Sequence, residues 1–321
     1  MRTGTAFRAA AATLIVLFLF CRQVWAWSDL VVFGDSLSDT GNLASVTVDF
    51  PWPYYRNRVS NGPLAVDVLA DALGLSAEAS LHLAGKSGGS NYAVDGANAG
   101  GSEREDLPTQ LQVHLDRHGG LAISEALYVV MIGGNDLRDA RNQSDAAQAE
   151  RIVDDAVAAI RQAISALLTK GAGKVLVVNG PDIGRIPETL KKEQQTPGIA
   201  ARATLLTRRF NAALGRAVDS LSTQYGVEIA QFDLFAYFNQ LLADAAAHGF
   251  TNTTEGCFNP RRYEFHPECE WGSRFDRFVF FDSLHPTAKT HRLIGEAIIA
   301  ALRQPAKKPV DLSPVLMLLL D

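Results

Sequence analysis

An α/β fold with a parallel sheet covered by helices on both faces is predicted by three observations. Short apolar runs alternate with helical patterns along the chain. One helical pattern, Asp145–Lys170, is unmistakable: Ile152, Val153, Val157, Ile160, Ile164 and Leu167 recur at three- and four-residue steps, and Gly171 follows as a stop. No internal repeat and no Pro/Ser-rich linker divides the chain, which argues for one domain.

The strands come first. Leu30–Phe33, Ala126–Ile132, Lys174–Asn179 and Glu228–Phe232 are apolar and short, as strands buried on both faces must be. Between and after them, Pro63–Leu73, Asp145–Lys170, Ile199–Tyr225 and Ala288–Arg303 carry helical spacing. Two segments break the alternation. Val46–Gly62 is a loop rich in aromatic residues and proline, with Trp52, Tyr54 and Tyr55 as candidate substrate contacts. Thr251–Arg277 is long and irregular, and it holds Cys257, Cys269 and Trp271.

Residues 1–26 have the form of a secretory signal: Arg2 and Arg8, an apolar stretch Ala9–Phe20, then Val24-Trp25-Ala26 before Trp27. A secreted or periplasmic protein is therefore expected, with residues 27–305 as its single domain and 306–321 as a tail ending in six apolar residues and Asp321. Without the first 26 residues, 27 Lys and Arg stand against 35 Asp and Glu, a formal charge of −8. That balance disfavours a nucleic-acid partner. In an exported chain, Cys257 and Cys269 most simply form one disulfide. With His266 they could also be read as metal ligands, but the spacing matches no standard zinc pattern, and no metal or cofactor is called for.

Chemistry is suggested by four short segments. After the first strand, Gly34-Asp35-Ser36-Leu37 turns sharply and offers Ser36 at the carboxyl end of the sheet. Near the other end, Asp282 and His285 lie three apart, so the carboxylate can hold one imidazole nitrogen while the other faces a hydroxyl. A helix-capping Asp282 with an exposed His285 is the bland alternative. Gly133-Gly134-Asn135-Asp136 follows a strand, and Asn135 can donate an amide N–H to a developing oxyanion. Asn91–Ala97 could supply a backbone N–H from Gly96. A phosphate-binding loop is excluded, because the glycine required five positions before Gly85-Lys86-Ser87 is Ser80. The Gly-x-Ser-x-Gly elbow of α/β-hydrolases is absent.

In order along the chain, these four blocks resemble the GDSL (SGNH) hydrolase family. Arg58-Val59-Ser60-Asn61-Gly62-Pro63, Asp106–Gln110 and Val178–Asp182 are similar to the larger branch, with plant GDSL esterases and bacterial thermolabile haemolysin-type lipases. The resemblance implies a three-layer α/β/α sandwich of flavodoxin-like type. It also implies Ser36 as nucleophile, His285 as base and Asp282 as its support. The oxyanion hole would be the N–H groups of Ser36 and Gly96 and the amide of Asn135. The substrate would be a small-molecule or lipid ester, with possible transient contact to a lipid surface. Acyl transfer, carbohydrate acetylesterase activity, or simple binding on a platform of Trp52, Tyr54 and Tyr55 are the alternatives. One departure stands out: Asp95 precedes Gly96 where similar sequences carry a small uncharged residue. A carboxylate aimed inward there would oppose negative charge on a tetrahedral intermediate.

Overall fold

The structure, a computed structural model, describes residues 27–304. The expected signal segment 1–26 and the tail 306–321 lie outside the described residues.

Four parallel strands form the central sheet in the order β1 (Leu30–Gly34), β2 (Leu127–Met131), β3 (Lys174–Val178), β4 (Ile229–Phe232). All five residues of β1 and of β2 are buried, which is why these runs carry no polar alternation. The free edge of β1 is not left bare. Ser90 O accepts from Val32 N–H at 3.1 Å, Tyr92 N–H donates to Val32 O at 2.7 Å, and Val94 N–H donates to Gly34 O at 3.2 Å. With this segment counted, the chain order across the sheet is 2-1-3-4-5, the flavodoxin-like arrangement. Its switch point falls between β1 and β2, where open α/β sheets bind ligands beyond their carboxyl ends.

Eight α-helices are described: α1 (Ala65–Leu73), α2 (Leu107–Arg117), α3 (Gly134–Asn142), α4 (Ala146–Thr169), α5 (Pro187–Glu193), α6 (Ile199–Tyr225), α7 (Leu234–Ala243) and α8 (Ala288–Leu302). Alternate side chains of the strands separate the two faces. Phe33 and Tyr128 stack at 6.4 Å on one face, with His114 of α2 edge-on to both. Met131 lies on the other face with His291 and Ile294 of α8. α4 and α6 pack on each other, as do α1 and α8. The helix expected at 145–170 begins where the Asp145 side chain caps Ala147 N–H at 2.9 Å.

The stretch 251–277 is more ordered than its sequence suggests. β5 (Asn252–Gly256) pairs in parallel with β8 (Phe278–Phe280), and β6 (Phe258–Asn259) pairs antiparallel with β7 (Glu264–Phe265). β5 is polar and half exposed, so it shows no strand pattern and is held by backbone pairing instead. Cys257 and Cys269 form a disulfide with Cα atoms 5.5 Å apart. Around it, Phe258, Phe275, Phe278 and Phe281 make a second small core, with Tyr54 and Phe265 against it. Among the described residues, no helix is long and apolar enough to cross a membrane.

Candidate active site

Ser36 sits in the turn after β1, 8% exposed. The turn is closed by Ser38 N–H and Asp39 N–H donating to Asp35 O, each at 3.0 Å, and by Leu37 N–H donating to the Asp35 carboxylate at 3.1 Å. Gln110 from α2 braces the end of β1, accepting from Gly34 N–H at 3.0 Å and donating to Gly34 O at 2.8 Å.

Opposite Ser36, the chain leaving β8 folds into a tight loop whose amides converge on Asp282. Leu284 N–H and His285 N–H donate to its Oδ1 at 2.7 and 2.8 Å. His285 Nδ1 lies 2.8 Å from Oδ2 and 3.0 Å from Oδ1. His285 Nε2 lies 3.0 Å from Ser36 Oγ. The Asp282 carboxylate fixes the tautomer: with the proton on Nδ1, Nε2 is left as an acceptor for the serine hydroxyl. Burial alone would raise the Asp282 pKa, but His285 and the backbone donors outweigh it, and the net shift is downward. Burial alone would lower His285, but Asp282 and, more weakly, Asp95 outweigh it, and its pKa is raised above the ordinary 6.5. Gly256 of β5 makes room for this loop. A Cβ there would fall 2.4 Å from the backbone carbon of Asp282, so the cystine-bearing segment abuts the Asp–His turn directly.

The two other predicted oxyanion donors lie on segments bonded to each other. Asn135 opens α3, with its Nδ2 donating to Ala97 O at 2.9 Å and its Oδ1 accepting from Arg138 at 3.0 Å. Those two bonds orient the amide and leave one Nδ2 hydrogen over. Gly96 has φ +88°, a conformation that only glycine adopts freely, and its N–H donates to no described protein acceptor.

Several supporting residues were not singled out in the sequence. The buried Asp39 carboxylate accepts from Gly41, Asn42, Leu43 and Asp95 N–H groups at 2.6 to 3.1 Å, tying the serine turn to the Gly96 segment. Asp136 does the same for the other side, accepting from Ala99 and Gly100 N–H at 2.8 and 3.0 Å. Arg138 also pairs with Glu188 at 3.0 Å, and the buried Arg141 pairs with Glu188 at 2.7 Å. Burial would raise Glu188, but the two arginines prevail and hold it at about 2. The only sequence signal for this network is the i+3 and i+6 placement of the arginines after Asn135 on one helix.

A cleft opens over this constellation, lined by Tyr54, Asp95, Arg138, Phe258, Asp282 and His285 among others. Tyr54 packs against Phe281 and Phe258 at 5.2 and 5.9 Å. Tyr55 and Trp52 do not line the cleft. The Tyr55 ring is covered by the guanidinium groups of Arg56 and Arg58 at 5.3 and 5.7 Å. Trp52 leans on Phe265 at the rim of the cystine lobe and is 59% exposed. Asp95 does line it, and its carboxylate has no ion pair among the described residues. Burial and Asp282 push its pKa up, while His285 and Arg138 pull it down, and the net shift is upward.

The sequence profile of the GDSL-like lipase/acylhydrolase family matches residues 30–298. The chain belongs to that family. A GDSL esterase/lipase of Arabidopsis thaliana is 26% identical to it over 89% of this chain and 91% of its own length. Lipase 1 of Photorhabdus luminescens is 27% identical over 87% of this chain, which spans 51% of that longer protein. Thermolabile hemolysin of Vibrio parahaemolyticus is 28% identical over 84% of this chain and 62% of its own length. Among solved structures, a lipolytic G-D-S-L family protein from Veillonella parvula aligns over 86% of this chain at 13% identity, with a TM-score of 0.44. This GDSL protein is a carboxylic ester hydrolase.

Proposed function

We propose that this GDSL protein is an exported esterase working through an acyl-Ser36 intermediate. The observation that carries the reading is the unbroken chain from Ser36 Oγ through His285 to Asp282, at 3.0 and 2.8 Å. Ser36 Oγ attacks the acyl carbonyl as His285 Nε2 takes its proton. Asp282 accepts the Nδ1–H bond and supports the imidazolium. The Ser36 and Gly96 N–H groups and the spare Asn135 amide hydrogen receive the oxyanion. His285 then gives its proton to the departing alkoxide, and water hydrolyses the acyl-enzyme by the same path. The disulfide supports export, since thiols stay reduced in most cytosols. No step calls for a cofactor.

Asn135→Ala is expected to lower kcat at least about a hundredfold, roughly 3 kcal/mol, while the protein still folds. Turnover near the wild-type rate would remove Asn135 from the mechanism.

A base must be neutral to act, so kcat/KM should fall as pH drops through the His285 pKa, with a midpoint above 6.5. Asp95 favours the protonated imidazole. Asp95→Asn should therefore move this acid limb to lower pH. A limb that stays put would mean Asp95 does not act on His285.

The reading itself is tested by hydrolysis of p-nitrophenyl esters from acetate to palmitate. Ester cleavage that persists in Ser36→Ala would refute it. A second reading, action on lipid esters at a surface, is favoured by Trp271 on the cystine lobe and Trp52 at its rim, 81% and 59% exposed. It requires a long-chain optimum in the same series and binding to lipid vesicles.

A further inference from the structure

Beneath the Ser–His pair, on the α8 face of the sheet, lies a narrow apolar slot that none of the steps above uses. Among its lining residues are Leu37 and Leu284, the chain neighbours of Ser36 and His285, both half-buried. Its walls are buried Met131, Phe238, Phe280 and Ile294. Leu284 lines both the slot and the open cleft, so its side chain borders the two. The slot encloses about 40 Å³, room for about three water-sized spheres or two to four carbon atoms.

One polar side chain lines it, His291, 2% exposed. Its Nδ1 accepts from Ala65 N–H at 3.3 Å, which places the proton on Nε2. That Nε2 is buried and has no partner among the described residues. Burial, with a smaller contribution from His285, pushes the His291 pKa down to about 3, so the ring is neutral at working pH. A buried donor without a partner is uncommon and calls for an explanation.

We propose that this slot receives the acyl chain of the ester and restricts it to about two to four carbons. The inference rests on the Ser36 esterase reading and deepens it. Leu37 follows Ser36 and Leu284 precedes His285 in the chain, and Leu284 also faces the open cleft, so a short alkyl tail on an acyl group at Ser36 would enter the slot beside these side chains. A chain long enough to cover the His291 N–H would bury that donor against hydrocarbon, so longer chains are selected against. The alcohol portion stays in the open cleft beside Tyr54 and Phe258, where the lining sets no comparable limit.

The test is the chain-length profile of kcat/KM on p-nitrophenyl acetate, butyrate and octanoate, for the wild type, Ile294→Phe and Phe238→Ala. A fluorophosphonate probe at Ser36 reports whether each protein keeps an intact nucleophile. The wild type should cleave butyrate about tenfold or more faster than octanoate. Ile294→Phe fills the slot and should lose about tenfold on butyrate relative to acetate, and Phe238→Ala should raise octanoate relative to butyrate. A wild-type optimum at octanoate or beyond overturns the proposal by itself, whether or not the variants fold. So does an unchanged profile in variants that still label. If the wild type cleaves no ester and takes no label, the esterase reading fails, and the slot assignment falls with it. Ser36-dependent turnover with the wrong profile sinks the slot alone.

Discussion

Ser36→Ala is expected to cut turnover of any ester by about a millionfold and to leave the fold intact. The side chain being removed is one hydroxyl, and its hydrogen-bond partner is His285 Nε2. No packing is lost, because the turn is held by Asp35, Asp39 and Gln110 through backbone groups. Residual hydrolysis of roughly a thousandfold over water would remain, because the oxyanion donors and the cleft survive the substitution. The measurement is a steady-state rate on p-nitrophenyl butyrate, with thermal unfolding as the control for folding. Mass spectrometry of the wild type after a fluorophosphonate probe should place the adduct on Ser36. An adduct on another serine, or an alanine variant within tenfold of wild type, would require a different nucleophile.

Asp282→Asn should cost about ten-thousandfold in kcat, more than its single-atom change suggests. The reason lies in the loop geometry. Oδ1 of Asp282 is already taken by Leu284 and His285 N–H groups, so an asparagine keeps its oxygen there. Its amide nitrogen then faces His285 Nδ1 and donates to it. The imidazole proton is forced onto Nε2, where it points at Ser36 Oγ and cannot accept the serine proton. Because the two backbone bonds persist, stability should change little, and the loss separates tautomer control from structural support. NMR of the ring nitrogens would show the switch directly: protonated Nδ1 in the wild type, protonated Nε2 in the variant. An Asp282→Asn enzyme retaining about a tenth of its activity would show that Asp282 serves only to hold the loop.

The central sheet was legible because β1 to β3 are almost wholly buried and so read as plain apolar runs, while the edge strand β4 keeps buried Ile229 and Phe232 around an exposed Gln231. α4, α6 and α8 showed their buried stripes at helical spacing. α2 did not, because two of the residues on its inner face are Gln110 and His114, both fully buried. α7 hid for the opposite reason, since Leu234–Ala243 is apolar nearly all round. The candidate site residues Ser36, Gly96, Asn135, Asp282 and His285 lie in short motifs whose own side chains or turns suggest chemistry, so the sequence pointed to them. Asp39 and Asp136 act on backbone N–H groups of segments 56 and 37 residues away, and no local pattern encodes such a partner. Tyr54 and Tyr55 are adjacent in sequence yet meet different neighbours, the cleft for one and two arginines for the other. Which way a loop residue turns is decided by what packs there, and composition does not record it.

Ser36 and His285 are 249 positions apart, and the strand that delivers His285 pairs with the cystine-bearing segment just before it. A chain made from its N-terminus therefore carries its serine through almost the whole of synthesis with no base opposite. On the proposed mechanism, ester-cleaving power arrives only when the last strand and α8 dock, after the second cysteine has been made. A product truncated anywhere before Asp282 would be inert towards the esters of the cell that makes it. Cleavage in the exposed stretch between β7 and β8 would threaten the base before it touched the sheet. Activity in this protein is thus a readout of complete folding.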